Sequence, residues 1–293
     1  MHTHNDKNNI FHDFQEYHRR TALAVLVGSS ATLLLSACKQ GGPGGPPGGG
    51  PGGPPPLSDP EENQIGTAAD GTQCVKHTQE TNGPYPADGT NSKNGSTVNV
   101  LDQSGVVRSD IRSSFGSMTG TADGVVLELT ATLVDVSKGC APLANHIVYV
   151  WHCDANGKYS LYDYTDQNYL RGVAVTDANG VVKFTTIVPG TYMGRYPHIH
   201  FEVFESAAKA VNGRDSMLIS QFAVPADVVK PLYDADSRYE NSISPLTRSS
   251  DISTDNVFGD NTPEQIKAQT LAMTGDAKNG YKATVTIGVA TAS

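Results

Sequence analysis

The sequence predicts an all-β protein, a β-sandwich with long connecting loops and very little helix. Segments that alternate apolar with polar residues and are rich in β-branched side chains recur along the chain, as in residues 125–136 (VVLELTATLVDV). Turn signals such as TDANG separate them. Only residues 225–233 and 263–270 suggest a helical turn or two. Short strands at this spacing, joined by Gly-rich turns, are typical of a sandwich.

The elements can be placed in order along the chain. Strands are predicted at residues 106–111, 125–136, 146–151, 171–176, 181–186, 196–204, 217–224 and 281–289. Residues 57–99 have no periodic apolar pattern, so we expect an extended arm wrapped on the domain. Residues 241–260 are dense in Ser, Asp and Asn, which predicts a long, solvated loop.

The N-terminal segment, residues 1–37, is predicted to be an export signal of the lipoprotein type. Arg19 and Arg20, a pair that also favours twin-arginine export, precede an apolar run that is too short for a secure transmembrane helix. The run ends LLLSAC, a small-residue cleavage site directly before Cys38. We therefore expect a lipidated Cys38, and a protein exported to a bacterial cell envelope and anchored there on the periplasmic or outer side.

Residues 38–56 are predicted to be the lipidated cysteine and a flexible tether, because from residue 41 the segment is almost wholly Gly and Pro and has nothing to bury. Residues 57–293 then form a single domain. The net charge is −9, and the signal holds equal numbers of acidic and basic residues. The mature protein is equally acidic, which argues against nucleic acid as a partner.

Cysteine usage fits an oxidising compartment. Cys140 and Cys153 flank a predicted strand whose extended length exceeds the ~7 Å Cα separation that a disulfide allows. We expect a Cys74–Cys140 disulfide that pins the N-terminal segment to the domain, with Cys153 as a buried free thiol.

The chemistry concentrates in residues 140–204. His198 and His200 are two positions apart on a predicted strand, so both imidazoles point to one face. This is a metal-site spacing. Tyr159 and Tyr192 lie in turns of the same stretch. Phenolate oxygen is a hard anion that favours a trivalent ion, and imidazole suits iron, copper and zinc, so the four together indicate high-spin Fe(III).

Two other metal sites stay open on spacing alone. Glu202 shares the strand parity of His198 and His200, as a two-His, one-carboxylate Fe(II) site would require. A zinc or copper protein could use only the two histidines.

Three blocks of the sequence carry a resemblance: VYVWHCDANGKYS, YLRGVAVTDANGVVKFTTIVPGTY and GRYPHIHFEV. In this order they resemble the intradiol ring-cleavage dioxygenases, the family of protocatechuate 3,4-dioxygenase and catechol 1,2-dioxygenase. The resemblance covers residues 74–224. It implies a β-sandwich that binds non-haem Fe(III) through Tyr159, Tyr192, His198 and His200.

The resemblance also implies roles around the metal. Arg195 matches an arginine that stabilises negative charge developing on the substrate, and Tyr192 the tyrosine that takes a substrate proton. Gln221 matches a glutamine of the polar network, and Pro84 and Tyr85 a segment lining the substrate pocket. The link from Tyr192 to Arg195 is shorter than in the enzymes it resembles.

The expected activity is therefore insertion of O2 into a catechol-type aromatic, opening the ring between the two hydroxylated carbons to a muconate-type product. The rival hypothesis is a non-catalytic binding module of the envelope with a relic or structural metal site. Other residues receive ordinary roles: Trp151 as a core anchor, His146 and His152 in packing or hydrogen bonds, and His77 in solvent.

Overall fold

A computed structural model describes residues 64–291, so the predicted signal, Cys38 and the tether lie outside the described residues. The strands are β1 Ile65–Thr67, β2 Gln73–Val75, β3 Asp88–Lys93, β4 Ser96–Asn99, β5 Val126–Asp135, β6 Ala141–Pro142, β7 Ile147–Trp151, β8 Arg171–Val175, β9 Val181–Ile187, β10 His198–Phe204, β11 Leu218–Ala223, β12 Ala272–Asp276 and β13 Gly280–Val289. The helices are α1 Ala226–Ala235, α2 Glu240–Arg248 and α3 Pro263–Gln269.

Two sheets form the predicted sandwich. The site sheet has the order β11-β10-β7-β8 and is antiparallel throughout. The back sheet has the order β12-β13-β5-β6, with β9 also paired to β5, and its β13–β5 pairing is parallel. The all-β fold class is thereby confirmed.

The core between the sheets follows from strand alternation. On β10 the residues Ile199, Phe201 and Val203 face inward, and they share one buried cluster with Leu127 and Leu129 of β5. Burying such side chains is the main favourable contribution to folding, about 25 cal/mol per Å² of apolar surface. The sandwich is therefore stabilised by one face of each sheet.

The opposite face of the site sheet is buried as well, against the arm and the loop after β7. Trp151 and Tyr149 of β7 lie on this face, in a second buried cluster with Ala87, Val100 and Tyr159. The cluster fixes the arm on the sheet. The alternate residues of β10, which include His198 and His200, point to this same face. The face therefore carries polar side chains that lie beside an apolar cluster and are covered by the arm.

The structure differs from the sequence prediction in several details. The arm contains two hairpins, β1–β2 and β3–β4. Residues 106–111 form no strand, because Val107 bridges Val173 of the site sheet while Asp110 bridges Thr185 of the back sheet. The predicted loop at residues 241–260 was wrong in its first half, which is helix α2.

The cysteines are arranged as predicted. Cys74 and Cys140 form a disulfide across a sequence separation of 66 residues. It joins the arm to the end of the back sheet, where Cys74 packs with Val134 and Val136. Cys153 is a buried free thiol.

Membrane spans can be assessed only in the part described. Between residues 64 and 291, no helix is both long and apolar enough to cross a bilayer.

His77 was predicted to be solvated, and this was wrong, because the side chain is only 2% exposed. Its ring lies edge-on to Phe201 and Phe222. Burial lowers the pKa of His77 to about 4. An unfolded histidine titrates near pH 6.5, so the unfolded state binds more protons between these values and stability is lost as pH falls from about 6.5 to 4.

Between pH 6.5 and 4, the neutral His77 should lower the free energy of unfolding by about 3 kcal/mol, and we expect His77→Leu to remove this decrease. Buried His152 acts with the same sign, and Glu80, whose pKa burial raises to about 7, acts with the opposite sign. The measured quantity is therefore the difference between variant and parent in urea titrations from pH 7.5 to 4. Parallel pH curves for the two proteins would contradict the burial of a neutral His77.

Candidate metal centre

The two histidines lie side by side on the covered face of the site sheet. His198 opens β10, and each imidazole is 2% exposed. Their Nε2 atoms are 3.1 Å apart. The strand period puts them on one face, as predicted from HIH, and the register places His200 between Trp151 of β7 and Gln221 of β11.

Each imidazole is held from outside the pair. His198 Nδ1 lies 2.6 Å from the carbonyl oxygen of Tyr196, so Nδ1 carries the proton and donates it there, and Nε2 presents its lone pair. The ring of His200 is stacked on Trp151, with centroids 4.8 Å apart and planes 8° from parallel. The predicted core anchor Trp151 is fully buried and also fixes the plane of His200.

The two tyrosines reach the histidines from separate loops. Tyr159 follows β7 and Tyr192 follows β9, and their Oη atoms are 3.4 Å apart. Tyr192 Oη is 3.4 Å from His198 Nε2. The loops approach each other closely at Gly157, where φ is 75° and a Cβ would lie 2.6 Å from the backbone oxygen of Thr191. The DANG turn therefore requires glycine at this contact.

Helix α2 anchors the Tyr192 loop from behind. Ser242 Oγ accepts a hydrogen bond from Thr191 N at 3.0 Å and lies 2.9 Å from the carbonyl oxygen of Ala155, to which it donates. One buried hydroxyl thus ties together the loops of both tyrosines.

Burial keeps all four groups neutral in the protein as it stands. It raises the pKa of Tyr159 well above its usual range, and Tyr192 Oη adds to the effect. Burial also raises the pKa of Tyr192 and lowers those of His198 and His200. A bound cation would reverse this balance for the tyrosines, because it stabilises phenolates.

The donor set fits a single metal ion. His198 Nε2 has one lone pair, yet His200 Nε2, Tyr192 Oη and Arg195 Nη1 approach it at 3.1, 3.4 and 3.4 Å. Atoms about 2.0–2.2 Å from one metal ion lie roughly 3.0–3.4 Å from each other, which matches the observed spacing.

A carboxylate site receives less support. Glu202 is fully buried on the same face, but it pairs in register with Tyr149 and Ile219, one step further along β10. Within residues 64–291 no group of three or more His, Cys, Asp or Glu side chains is placed to hold a metal. The oxygen atoms near the two histidines belong to tyrosines: Tyr192 Oη lies beside His198, and Tyr159 Oη lies beside Tyr192 Oη.

Arg195 and Gln221 adjoin the four donors. Arg195 Nη2 donates to Gln221 Oε1 at 2.6 Å, and Arg195 Nε donates to Asp255 Oδ2 at 3.0 Å. Gln221 is fully buried and Arg195 is 8% exposed. The structure thus places Arg195 beside His198 and Gln221 opposite His200 on the neighbouring strand, and it adds Asp255, which the sequence prediction had left in a solvated loop.

The arm covers the cluster. Gln221 Nε2 donates to the carbonyl oxygen of Thr81 at 3.1 Å, and the ring of Tyr85 lies 4.9 Å from that of Tyr159. Pro84 is exposed, and its carbonyl oxygen accepts from Asn91 Nδ2. Of the predicted pocket pair, Tyr85 therefore contacts the cluster through its ring, while Pro84 lies at the surface.

Some site residues escaped the sequence prediction. Gly83 has φ 69°, and a Cβ there would lie 3.3 Å from His200 Cε1. The NGP turn signal marks this position, although it does not say what the backbone approaches. No sequence motif around Ser242 or Asp255 indicates that these residues contact the site. His152 packs as predicted, with Nε2 2.7 Å from Thr186 Oγ1.

Comparison with known proteins points to one group of enzymes. Residues 108–214 match the Dioxygenase family model. The protocatechuate 3,4-dioxygenase beta chain of Burkholderia cepacia is 33% identical over 117 residues, 36% of this chain and 46% of that protein. The match thus spans about half the length of this curated relative.

A solved structure agrees at the level of the fold. An intradiol ring-cleavage dioxygenase from Tetranychus urticae has a TM-score of 0.54 and 22% identity, covering 74% of this chain and 95% of that one. The family model and the curated relative together support a relationship to the dioxygenases, and the solved structure shows the shared fold. The matched family segment contains all four clustered donors and ends before Gln221 and Asp255.

Gly83→Ala tests how closely the arm approaches His200. The added Cβ would press on the imidazole at 3.3 Å, so we expect the affinity for a metal ion to fall by about 10-fold or more. Gly95→Ala is the matched control, with a similar φ of 79° but open space around a Cβ. Both variants should lose about 1–2 kcal/mol of stability from backbone strain. Equal metal affinities in metal titrations of the two variants would contradict the contact.

Proposed function

We propose that the protein is an Fe(III)-dependent intradiol dioxygenase that opens a catechol-type aromatic between its two hydroxylated carbons. The observation that carries this proposal is the convergence of two phenol oxygens and two imidazole nitrogens within 3.1–3.4 Å contacts. We propose Tyr159, Tyr192, His198 and His200 as the residues that hold the ion. A bound ferric ion would act as a Lewis acid toward both catechol oxygens and make the ring reactive toward O2.

The protein's own groups have distinct tasks in this proposal. His198 and His200 present neutral imidazole, because burial keeps their pKa values low. Tyr159 is 1% exposed and wedged against Tyr85, which suits a permanent ligand. Tyr192 is less buried and lies nearer Arg195, and the guanidinium acts to lower its pKa against the effect of burial. With a ferric ion bound, Tyr192 would be held as a phenolate, and its Oη is the group that we propose takes up a substrate proton.

Arg195 supplies directed positive charge beside the reacting oxygens. Its Nη1 is 3.4 Å from His198 Nε2, so an N–H group points to the place where four donors meet. Preorganised donors aimed at developing negative charge are a large part of catalysis, at roughly 10²–10³-fold for a single donor. Gln221 holds the same guanidinium and the arm at once.

The reaction is tested by oxygen uptake. Ferric-loaded protein is offered catechol, 4-methylcatechol and 3,4-dihydroxybenzoate, and the products are identified by mass spectrometry. We expect at least one substrate to consume O2 in equal amount and to yield a muconate-type diacid containing both oxygen atoms. Ferric-loaded protein that consumes no O2 with any catechol would overturn the proposal and favour a binding module.

Tyr159→Phe separates this site from a histidine-only metal site. Fe(III) tyrosinate absorbs visible light, so we expect a coloured parent protein, a bleached or shifted band in Tyr159→Phe, and activity lower by more than about 100-fold. Tyr164→Phe is the control, since Tyr164 packs on Tyr169 away from the cluster. An unchanged spectrum in Tyr159→Phe would exclude Tyr159 as a ligand.

We also propose that the enzyme is exported and held at the cell envelope through a lipid on Cys38. The support is the lipobox-like LLLSAC sequence followed by a Gly/Pro tether. The Cys74–Cys140 disulfide suits the same oxidising compartment. Mass spectrometry of the mature N-terminus decides the matter, because an unmodified Cys38 would contradict the anchor.

A further inference from the structure

Asp255 is the one acidic group that contacts Arg195 within residues 64–291. It lies between α2 and α3, 60 residues beyond Arg195 and outside the segment that matches the family model. Its side chain is fully buried. A buried carboxylate needs a specific partner, because burial of an unpaired charge is costly.

The carboxylate is itself fixed by the backbone. Oδ1 accepts from Val257 N at 2.8 Å and from Phe258 N at 3.1 Å, and Oδ2 accepts from Tyr196 N at 2.6 Å. Three N–H donors from two chain segments therefore hold one carboxylate. Burial would raise the pKa of Asp255, but Arg195 and these donors outweigh burial and lower it, so the group is an anion.

The contacts leave Arg195 a single orientation. Nε donates to Asp255 Oδ2, and Nη2 donates to Gln221 Oε1 with Asp255 Oδ1 3.4 Å away. Nη1 is the remaining nitrogen, and it faces His198 Nε2. A guanidinium is a planar fork, so fixing Nε and Nη2 also fixes the direction of Nη1.

We propose that Asp255 is a positioning residue for the reaction: it aims Arg195 Nη1 at the four-donor cluster. This inference rests on the proposed function. Asp255 does not reach the cluster itself and acts through Arg195. The ion pair with Asp255 partly neutralises Arg195. The four-donor cluster therefore faces an N–H group with a fixed direction rather than a mobile, unpaired positive charge.

Asp255→Asn tests the role with little disturbance of the turn. An asparagine keeps an Oδ1 for Val257 N and Phe258 N but loses the charge and the Oδ2 acceptor that Arg195 Nε and Tyr196 N share. We expect kcat to fall by about 10–100-fold, with the KM for catechol changed by less than about 3-fold, since misaiming by 1 Å can cost 10²-fold. The control is Asp251→Asn, an exposed carboxylate that caps the same segment through Ser253 and should leave kcat unchanged.

A double-mutant cycle distinguishes positioning from general support of the fold. In the Arg195→Ala background, Asp255→Asn should lower kcat by less than about 2-fold, because no guanidinium is left to aim. Equal effects of Asp255→Asn in both backgrounds would overturn the inference. So would an Asp255→Asn enzyme with the kcat of the Asp251→Asn control.

A second cycle uses the metal-free protein. Breaking a buried pair is strongly destabilising, so Asp255→Asn and Arg195→Ala should each raise the unfolding equilibrium constant by about 100-fold. The double variant should be no less stable than the less stable of the two single variants. Independent, multiplicative losses would contradict the pairing. An inactive parent enzyme with intact coupling would instead contradict the proposed function and leave Asp255 as the anchor of Arg195.

Discussion

The lone pair of His198 Nε2 is approached by three polar atoms but can accept a hydrogen bond from only one of them. Tyr196 holds the other nitrogen as a donor, so the imidazole cannot turn to relieve the crowding. A cation would resolve the conflict among His198, His200 and the two tyrosines, because the lone pairs of these four side chains could all point to it. The strands, loops and arm around His198 hold these atoms close together.

The covered face of the site sheet makes the crowding possible. Alternate residues of β10 and β7 bring His198, His200 and Trp151 to that face, and the loops after β7 and β9 deliver the tyrosines. The arm then excludes water, with Gly83 on His200. Buried polar groups interact strongly in such a site, and several of them are held by a second residue. Asp255 and Ser242 do this from a segment beyond the family match.

The sequence was sufficient wherever a short-range rule applies. The period of two along a strand placed His198 and His200 together, and alternation located most strands of both sheets. Tyr159 and Tyr192 are 33 residues apart in turns, so ligand chemistry could group them with the histidines, but no short-range rule could bring them together. Asp255 could not be predicted, since an Asp in a polar stretch is usually solvated and its partner is distant.

Helix α2 shows the same limit of local reasoning. Its sequence, ENSISPLTR, contains Pro245 and residues with low helix propensity, so the segment was predicted to be a loop. Packing outweighs propensity here, because Ser242 and Leu246 are buried on one side of the helix. Residues 106–111 have a strand-like pattern, but they cross from the site sheet to the back sheet and form one isolated bridge with each.

The central claim is that one ferric ion is bound by two tyrosines and two histidines. A crystal structure of the ferric-loaded protein, with anomalous diffraction measured at the iron edge, tests it most directly. The account predicts one iron peak within bonding distance of Tyr159 Oη, Tyr192 Oη, His198 Nε2 and His200 Nε2. An iron bound elsewhere, or held by the histidines with both tyrosines turned away, would contradict it.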